Sequence, residues 1–242
     1  MDAIGIIPAR FAATRFEGKV LANILGKPMI QHVWEKAKES KSLDDLIIAC
    51  DDQRIEKKAK EFGAKVILTS KSHSSGTDRL TEIVQPLDVK VVINIQADEP
   101  LLHFTMIDDM VRLLLEDPSI VMATVIKRME DKQEISDSNI VKVVIDKDDF
   151  ALYFSRSPIP YLNAESNESV YYKHIGLYAY TKDFLFTFRN LPESKLEDME
   201  KLEQLRVLEA GFRIKTVQTK FDTIGVDTPQ DLQKVEEKIK EK

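Results

Sequence analysis

A single cysteine, Cys50, stands in a chain of 242 residues, so no internal disulfide framework can form and a reducing compartment is expected. Glycine is scarce at eight residues. No Gly/Ser linker, low-complexity tract or short-period repeat divides the chain. No apolar run approaches a membrane span, and the strand-like IGIIPA begins almost at Met1, which predicts no signal or transit peptide. A basic excess is also missing. The formal net charge of −6 argues against nucleic acid or an anionic membrane as the main partner. Two familiar phosphate-binding signatures are absent as well: Gly18-Lys19 runs into Val20 where a Walker loop needs Ser or Thr, and there is no G-x-G-x-x-G. What remains is a soluble, cytoplasmic chain whose 43% hydrophobic content can bury a full core, with one domain as the expectation.

The strongest positive signal is residues 91–100, VVINIQADEP. Val91, Val92, Ile93 and Ile95 form an apolar run suited to a strand buried on both faces of a parallel sheet. Asp98, Glu99 and Pro100 then end it, placing two carboxylates at the carboxyl edge of a central strand, where open α/β sheets bind ligands. Read alone, these acids either hold a hard divalent cation against a phosphate or cap the next helix. A similar choice attends PARFAATRFEGK, residues 8–19, after the first strand, Ile4 to Ile7. Arg10, Arg15 and Lys19 are placed either to grip an anion or merely to face solvent.

Downstream the chain alternates short strands with helical patterns. A helix begins at Lys27 with Pro28 in its first turn and Met29, Ile30, Val33, Trp34 and Ala37 on its core face. Strands follow at Leu46 to Ala49 and Lys65 to Leu68, with Cys50 read as a small buried hydrophobe. The hydroxyl-rich loop Ser70 to Arg79 starts another helix, and its side chains suit a base and ribose as well as a cap. Met106 to Leu115 reads as an amphipathic helix and Ile120 to Val125 as a strand. Residues 140–180 then give strands without regular intervening helices, an insertion or extension with antiparallel pairing. A helix from Leu196 to Ala210 is expected, with Glu203, Gln204 and Arg206 on its solvated face if read alone. The strand Ile214 to Val217 leads to GVDTPQDL, where Thr228, Pro229 and Asp231 make a helix start that leaves Asp227 outside the cap.

Taken together, PARFAATRFEGK, HSSGTDRL, NIQADEP, YFSRSPIP, HIGLYAY, LEQLRVL and GVDTPQDL, in this order and spacing, resemble the 3-deoxy-manno-octulosonate cytidylyltransferases over essentially the whole chain. Ala13 and Glu17 stand where that family's first loop carries Ser and Pro, and Ala97 stands for the usual Gly. One hydroxyl is thereby lost from the loop and one negative charge is added beside it.

The resemblance implies an α/β, Rossmann-like nucleotidyltransferase fold with a mainly parallel central sheet and an antiparallel sugar-binding and dimerisation insertion. Residues 1–125 and 211–242 would form the nucleotide- and metal-binding part, and 126–210 the sugar-binding part of a homodimer. It also implies transfer of CMP from CTP to the anomeric 2-hydroxyl of 3-deoxy-manno-octulosonate (Kdo), with Mg²⁺ as cofactor. By resemblance, Arg10, Lys19 and Asp98 are catalytic and Asp98 with Asp227 holds the metal. Pro8, Ala9, Arg10, Arg15, Lys19, Ser74, Gly76, Thr77, Arg79 and Gln96 would contact the nucleotide, and Arg156, His174, Tyr178, Glu203 and Gln204 the sugar acid. A cytidylyltransferase for another sugar acid such as neuraminate would share the first half, but HIGLYAY with LEQLRVL favours Kdo. A non-catalytic nucleotide-binding protein on the same fold would have lost Lys19 or a metal carboxylate, and neither is lost.

Overall fold

The computed structural model describes residues 1–12, 16–73, 76–163 and 170–241. In chain order its strands are β1 (Ala3–Ala9), β2 (Asn23–Ile24), β3 (Lys27–Pro28), β4 (Asp45–Cys50), β5 (Lys65–Leu68), β6 (Val91–Asn94), β7 (Met122–Met129), β8 (Lys142–Ile145), β9 (Ala151–Ser155), β10 (Tyr171–Thr181) and β11 (Lys215–Gln218). The helices are α1 (Met29–Lys38), α2 (Gln53–Glu61), α3 (Gly76–Val84), α4 (Phe104–Glu116), α5 (Lys132–Ser136), α6 (Lys182–Asn190), α7 (Lys195–Glu200), α8 (Leu205–Glu209) and α9 (Pro229–Lys240).

Nine of the strands make one sheet in the order β11-β7-β10-β6-β1-β4-β5, with β8 and β9 branching from β10. Pairing is parallel for β1 with β4 and β6, β4 with β5, and β7 with β11. Strand β10 runs antiparallel to both β6 and β7. Val91 to Asn94 are buried on both faces, as the apolar run predicts, but one of their two neighbours is antiparallel. The antiparallel segment therefore does more than append to the sheet: its last strand fills the gap between β6 and β7.

Apolar faces explain the layering. Val33, Trp34, Ile55, Ala59, Met106 and Met110 from α1, α2 and α4 pack on one side of the sheet with Ile7, Ile48 and Ile93. Leu80, Ile83, Phe184, Leu185, Phe188 and Leu205 from α3, α6 and α8 pack on the other with Ile4, Ile6 and Val92. Such period-3.6 stripes on helices flanking near-continuous apolar strands bury both sheet faces. Cys50 is buried in the first of these clusters, as a small hydrophobe would be.

Three local expectations are corrected. Pro28 precedes α1 as its N-cap and pairs in a two-residue strand, because Lys27 and Pro28 are extended against Ile24 and Asn23. The acids of the DEP segment do not cap α4, whose N-cap is His103. The single helix expected over Leu196 to Ala210 is two short helices, broken where Lys201 turns left-handed at φ 55°. Leu202 is buried immediately after that break, which holds Glu203 and Gln204 in a turn.

Candidate active site

The site forms where strand ends meet. Strand β1 delivers Arg10, and its parallel neighbour β6 leads to Gln96 and Asp98, while the chain after β1 continues to β4 on the opposite side. This reversal is the switch point at which doubly wound sheets open a crevice beyond their carboxyl ends. The first loop closes on itself there. Gly18 N–H donates to Phe11 O at 2.9 Å, and Gly18 holds φ 66°, a left-handed angle that glycine adopts without steric cost. A 3₁₀ turn over Lys19–Leu21, anchored by buried Val20, then aims Lys19 at the crevice.

Lys19 Nζ donates to Asp98 Oδ2 at 2.6 Å, to Asp227 Oδ1 at 3.0 Å and to Val226 O at 3.1 Å. Asp227 arrives on the segment between β11 and α9. Val226 N–H donates to Asp98 O at 2.9 Å, Val226 buries against Ile24, Met29 and Val235, and a Thr228–Asp231 capping box starts α9 just beyond. Burial opposes the charge on Lys19, but Asp98 and Asp227 outweigh it and hold the ammonium pKa above its ordinary value.

Glu99, which the sequence read alone left open between cation ligand and helix cap, lies behind this pair. Burial, reinforced by Asp98, pushes its carboxyl pKa up to about 8, against the pull of Lys173, Thr223 and Lys19. Its Oε2 is buried and has no hydrogen-bond partner among the described residues. Lys173 donates to Thr223 O at 3.2 Å and pairs with Asp222, which also meets Lys127 at 3.1 Å. Gly225 passes so close that a Cβ there would lie 3.2 Å from Glu99 Oε1. The only sequence signal was the acidic doublet itself, since Lys173, Asp222 and Gly225 come from distant segments.

Among the described residues no three His, Cys, Asp or Glu side chains cluster as a self-contained metal cage. The donor set nonetheless suits a hard divalent cation. Mg²⁺ typically takes one or two carboxylates and completes its shell with phosphate oxygens and water, and Asp98 and Asp227 already converge on one positive charge.

A second cluster lies one strand over. Tyr178 stands opposite Asn94 in the β10–β6 register. The pairing of β10 with β7 shifts between Ile175 and Tyr178, and such bulges re-aim side chains beside functional sites. Here the shift brings His174 within 5.3 Å of the Tyr178 ring and edge-on to Phe154. Thr124 Oγ1 has one proton, which goes to Leu177 O at 2.9 Å. It must then accept from His174 Nε2–H, 3.0 Å away, leaving Nδ1 as an acceptor. Burial lowers the His174 pKa to about 3, so this imidazole is neutral.

Glu203 meets Thr77, whose Oγ1 donates to Glu203 Oε2 at 3.2 Å, and its charge adds to burial in raising the Tyr178 pKa. Gln204 is 4% exposed, and its Nε2 lacks a partner among the described residues. Neither residue is the solvated surface that the helical pattern alone suggests, because the break at Lys201 turns this stretch inward. Arg156 is not brought to this cluster by its hydrogen bonds: Nε donates to Glu200 O at 2.9 Å and Nη1 to Ser138 O at 3.1 Å.

On the nucleotide side, Pro8 and Ala9 end β1, and Gly76 opens α3 beside them, where a Cβ would lie 3.6 Å from Pro8 Cγ. Arg10 is exposed at the strand end, and Gln96 reaches Asn94 Oδ1 at 3.5 Å. Arg79 is different, for its side chain is fully buried. Glu17 is exposed and its charge acts on Arg54. Arg15, Ser74 and Ala13 lie outside the described residues.

A cation-rich loop and two facing acids at the switch point of a mainly parallel sheet define a nucleotidyltransferase. Residues 4–217 match the Cytidylyltransferase family. The 3-deoxy-manno-octulosonate cytidylyltransferase of Solibacter usitatus is 49% identical over 232 residues, covering 96% of this chain and 92% of the relative. That of Geotalea uraniireducens is 46% identical over 250 residues, covering 99% and 100%. A solved CMP:2-keto-3-deoxy-manno-octonic acid synthetase complexed with CTP superposes with a TM-score of 0.93 at 40% identity, covering 100% of this chain and 99% of that one. The chain belongs to the 3-deoxy-manno-octulosonate cytidylyltransferase family.

Proposed function

We propose that this chain transfers CMP from CTP to the anomeric 2-hydroxyl of Kdo, releasing pyrophosphate and supplying CMP-Kdo for lipopolysaccharide synthesis, with Lys19, Asp98 and Asp227 as the reaction centre. The observation that carries this reading is their convergence: an ammonium within 3.0 Å of two acids from loops 79 and 208 positions away. Phosphoryl transfer needs little covalent help and much positioning of charge. Lys19 and Arg10 neutralise the triphosphate and the departing pyrophosphate, with Arg15 as a further cation. Asp98 and Asp227 would hold a divalent cation, and their hard oxygen donors suit Mg²⁺. Bound there, Mg²⁺ would offset phosphate charge and lower the pKa of a coordinated hydroxyl.

In this reading Pro8, Ala9, Ser74, Gly76, Thr77 and Gln96 serve the nucleoside, and His174, Tyr178, Glu203 and Gln204 read the sugar acid. Neutral His174 offers Nδ1 to a hydroxyl. Arg156 reads the carboxylate by exchanging its carbonyl partners, Glu200 O and Ser138 O, for substrate. In this reading 1–125 with 211–242 handle nucleotide and metal while 126–210 handles sugar, and the Thr77–Glu203 bond joins the two parts at the site. A homodimer through the antiparallel segment fits β9, which pairs only with β8 among the described strands, and the exposure of Leu152 and Met199 nearby. No described helix is long and apolar enough to cross a membrane. The buried lone cysteine and the nucleotide substrate favour the cytoplasm.

Pyrophosphate release by purified protein with Mg²⁺ and CTP, comparing Kdo, N-acetylneuraminate and no sugar, tests the reading. Release with Kdo alone is expected. Release with neuraminate would overturn the sugar assignment, and silence with every acceptor would overturn catalysis.

A further inference from the structure

Asp51 follows β4 directly, and its two carboxylate oxygens serve two segments. Oδ1 accepts the backbone N–H of Phe11 at 3.1 Å, and Oδ2 accepts Nη2 of Arg79 at 3.1 Å. Phe11 stands next to Arg10 in the chain, and its carbonyl receives Gly18 N–H, one residue before Lys19. Phe11 thus closes the loop between its two flanking cations. Its ring is covered by the Arg54 guanidinium, 3.3 Å from the centroid, and packs so closely on Gly18 that a Cβ there would lie 3.1 Å away. Arg54 is in turn held on Asp52 by two bonds of 2.8 Å. The corner between β4 and α2 therefore grips the loop by backbone and ring face, while the ring edge packs on the loop's own Gly18.

Arg79 completes the arrangement from α3. Its side chain is fully buried, Nη1 bonds Thr69 Oγ1 and, at 3.4 Å, Ser70 O, and Nε lacks a partner among the described residues. A guanidinium with no exposed surface does not touch a ligand in this conformation. Buried ion pairs rarely stabilise a fold beyond what apolar residues of similar volume would achieve, so stability is a poor reason for this one. What the pair does accomplish is to fix the direction of the Asp51 carboxylate.

We propose that Asp51 is the positioning residue of the triphosphate loop and that Arg79 acts through it, not by contact with the nucleotide. The pair sets where Arg10 and Lys19 stand relative to each other, and hence the affinity for the polyphosphate. This rests on the reading of Arg10 and Lys19 as triphosphate ligands.

Calorimetric binding of CTP, inorganic triphosphate and cytidine is compared for wild type, Asp51→Asn, the double variant Asp51→Asn with Arg79→Met, and Lys19→Ala, alongside melting temperatures. Asp51→Asn keeps an acceptor for Phe11 but strands the buried guanidinium; the double variant removes that charge and recovers stability. Both are expected to weaken CTP and inorganic triphosphate about tenfold, the worth of one charge-assisted bond, while cytidine binding and the KM for Kdo hold. If the double variant regains CTP affinity together with its melting temperature, the pair is structural only and the proposal falls. Loss of cytidine affinity with triphosphate affinity retained would place Arg79 at the base and overturn it equally. Wild-type CTP affinity in Lys19→Ala would overturn the loop reading and the proposal with it; a weakened Lys19→Ala beside an unaffected double variant would overturn the proposal alone.

Discussion

Lys19 and Asp98, 79 positions apart in the chain, meet at 2.6 Å because two parallel strands end side by side. Replacing Lys19 with Ala is expected to lower kcat by about 10² to 10³, roughly the 2.7 to 4 kcal/mol typical of one lost electrostatic stabiliser of a transition state. Steady-state pyrophosphate release measures it. An unchanged rate would return the loop to solvent-facing charge.

Asp98→Asn should fold normally, because its side chain is 30% exposed and Asp227 still balances Lys19. Turnover dependent on Mg²⁺ should be lost. Near-wild-type activity across a Mg²⁺ titration would remove Asp98 from the metal site.

Gly225→Ala would push a methyl to 3.2 Å from Glu99 Oε1, so the carboxyl or the 222–227 segment must shift. The expected cost is about 1 to 3 kcal/mol of stability, as for other overpacked sites. A raised Mg²⁺ requirement is expected too, since Asp227 rides on this segment. Denaturant unfolding and the Mg²⁺ dependence of turnover check both; a variant equal to wild type in each would show that the segment yields freely.

His174 makes the fold acid-sensitive. Its pKa is depressed by burial from 6.5 to about 3, so its contribution to stability is complete above 6.5 and is lost as pH falls from 6.5 towards 3. Over that window His174→Gln should lose less melting temperature than wild type. Parallel curves for the two proteins would mean that His174 is solvated.

Much of the fold was legible locally. The apolar runs at Ile4–Ile7, Leu46–Ala49 and Lys65–Leu68 lie within β1, β4 and β5, and Thr228 with Asp231 caps α9 as their spacing demands. These signals are carried by neighbours in the chain: period-2 or period-3.6 burial and a cap that closes over three residues. The break at Lys201 was not legible, because it answers to burial of Leu202 and to the Arg206–Glu197 pair on another turn. The inward turn of Arg79 was hidden for the same reason, since Asp51 and Thr69 come from other strand ends.

By itself the sequence determined the strand-and-helix alternation, the acids after β6, the cations after β1 and, through its ordered motifs, the chemistry to expect. Only tertiary structure decided which of those charges meet. It inserted β10 antiparallel between β6 and β7, brought Asp227 back to Lys19, and enlisted Glu99, Lys173 and Asp51. Propensity and periodicity act over a few residues, whereas the meeting of charges depends on which strand ends share an edge, and that is set by packing both faces of the sheet.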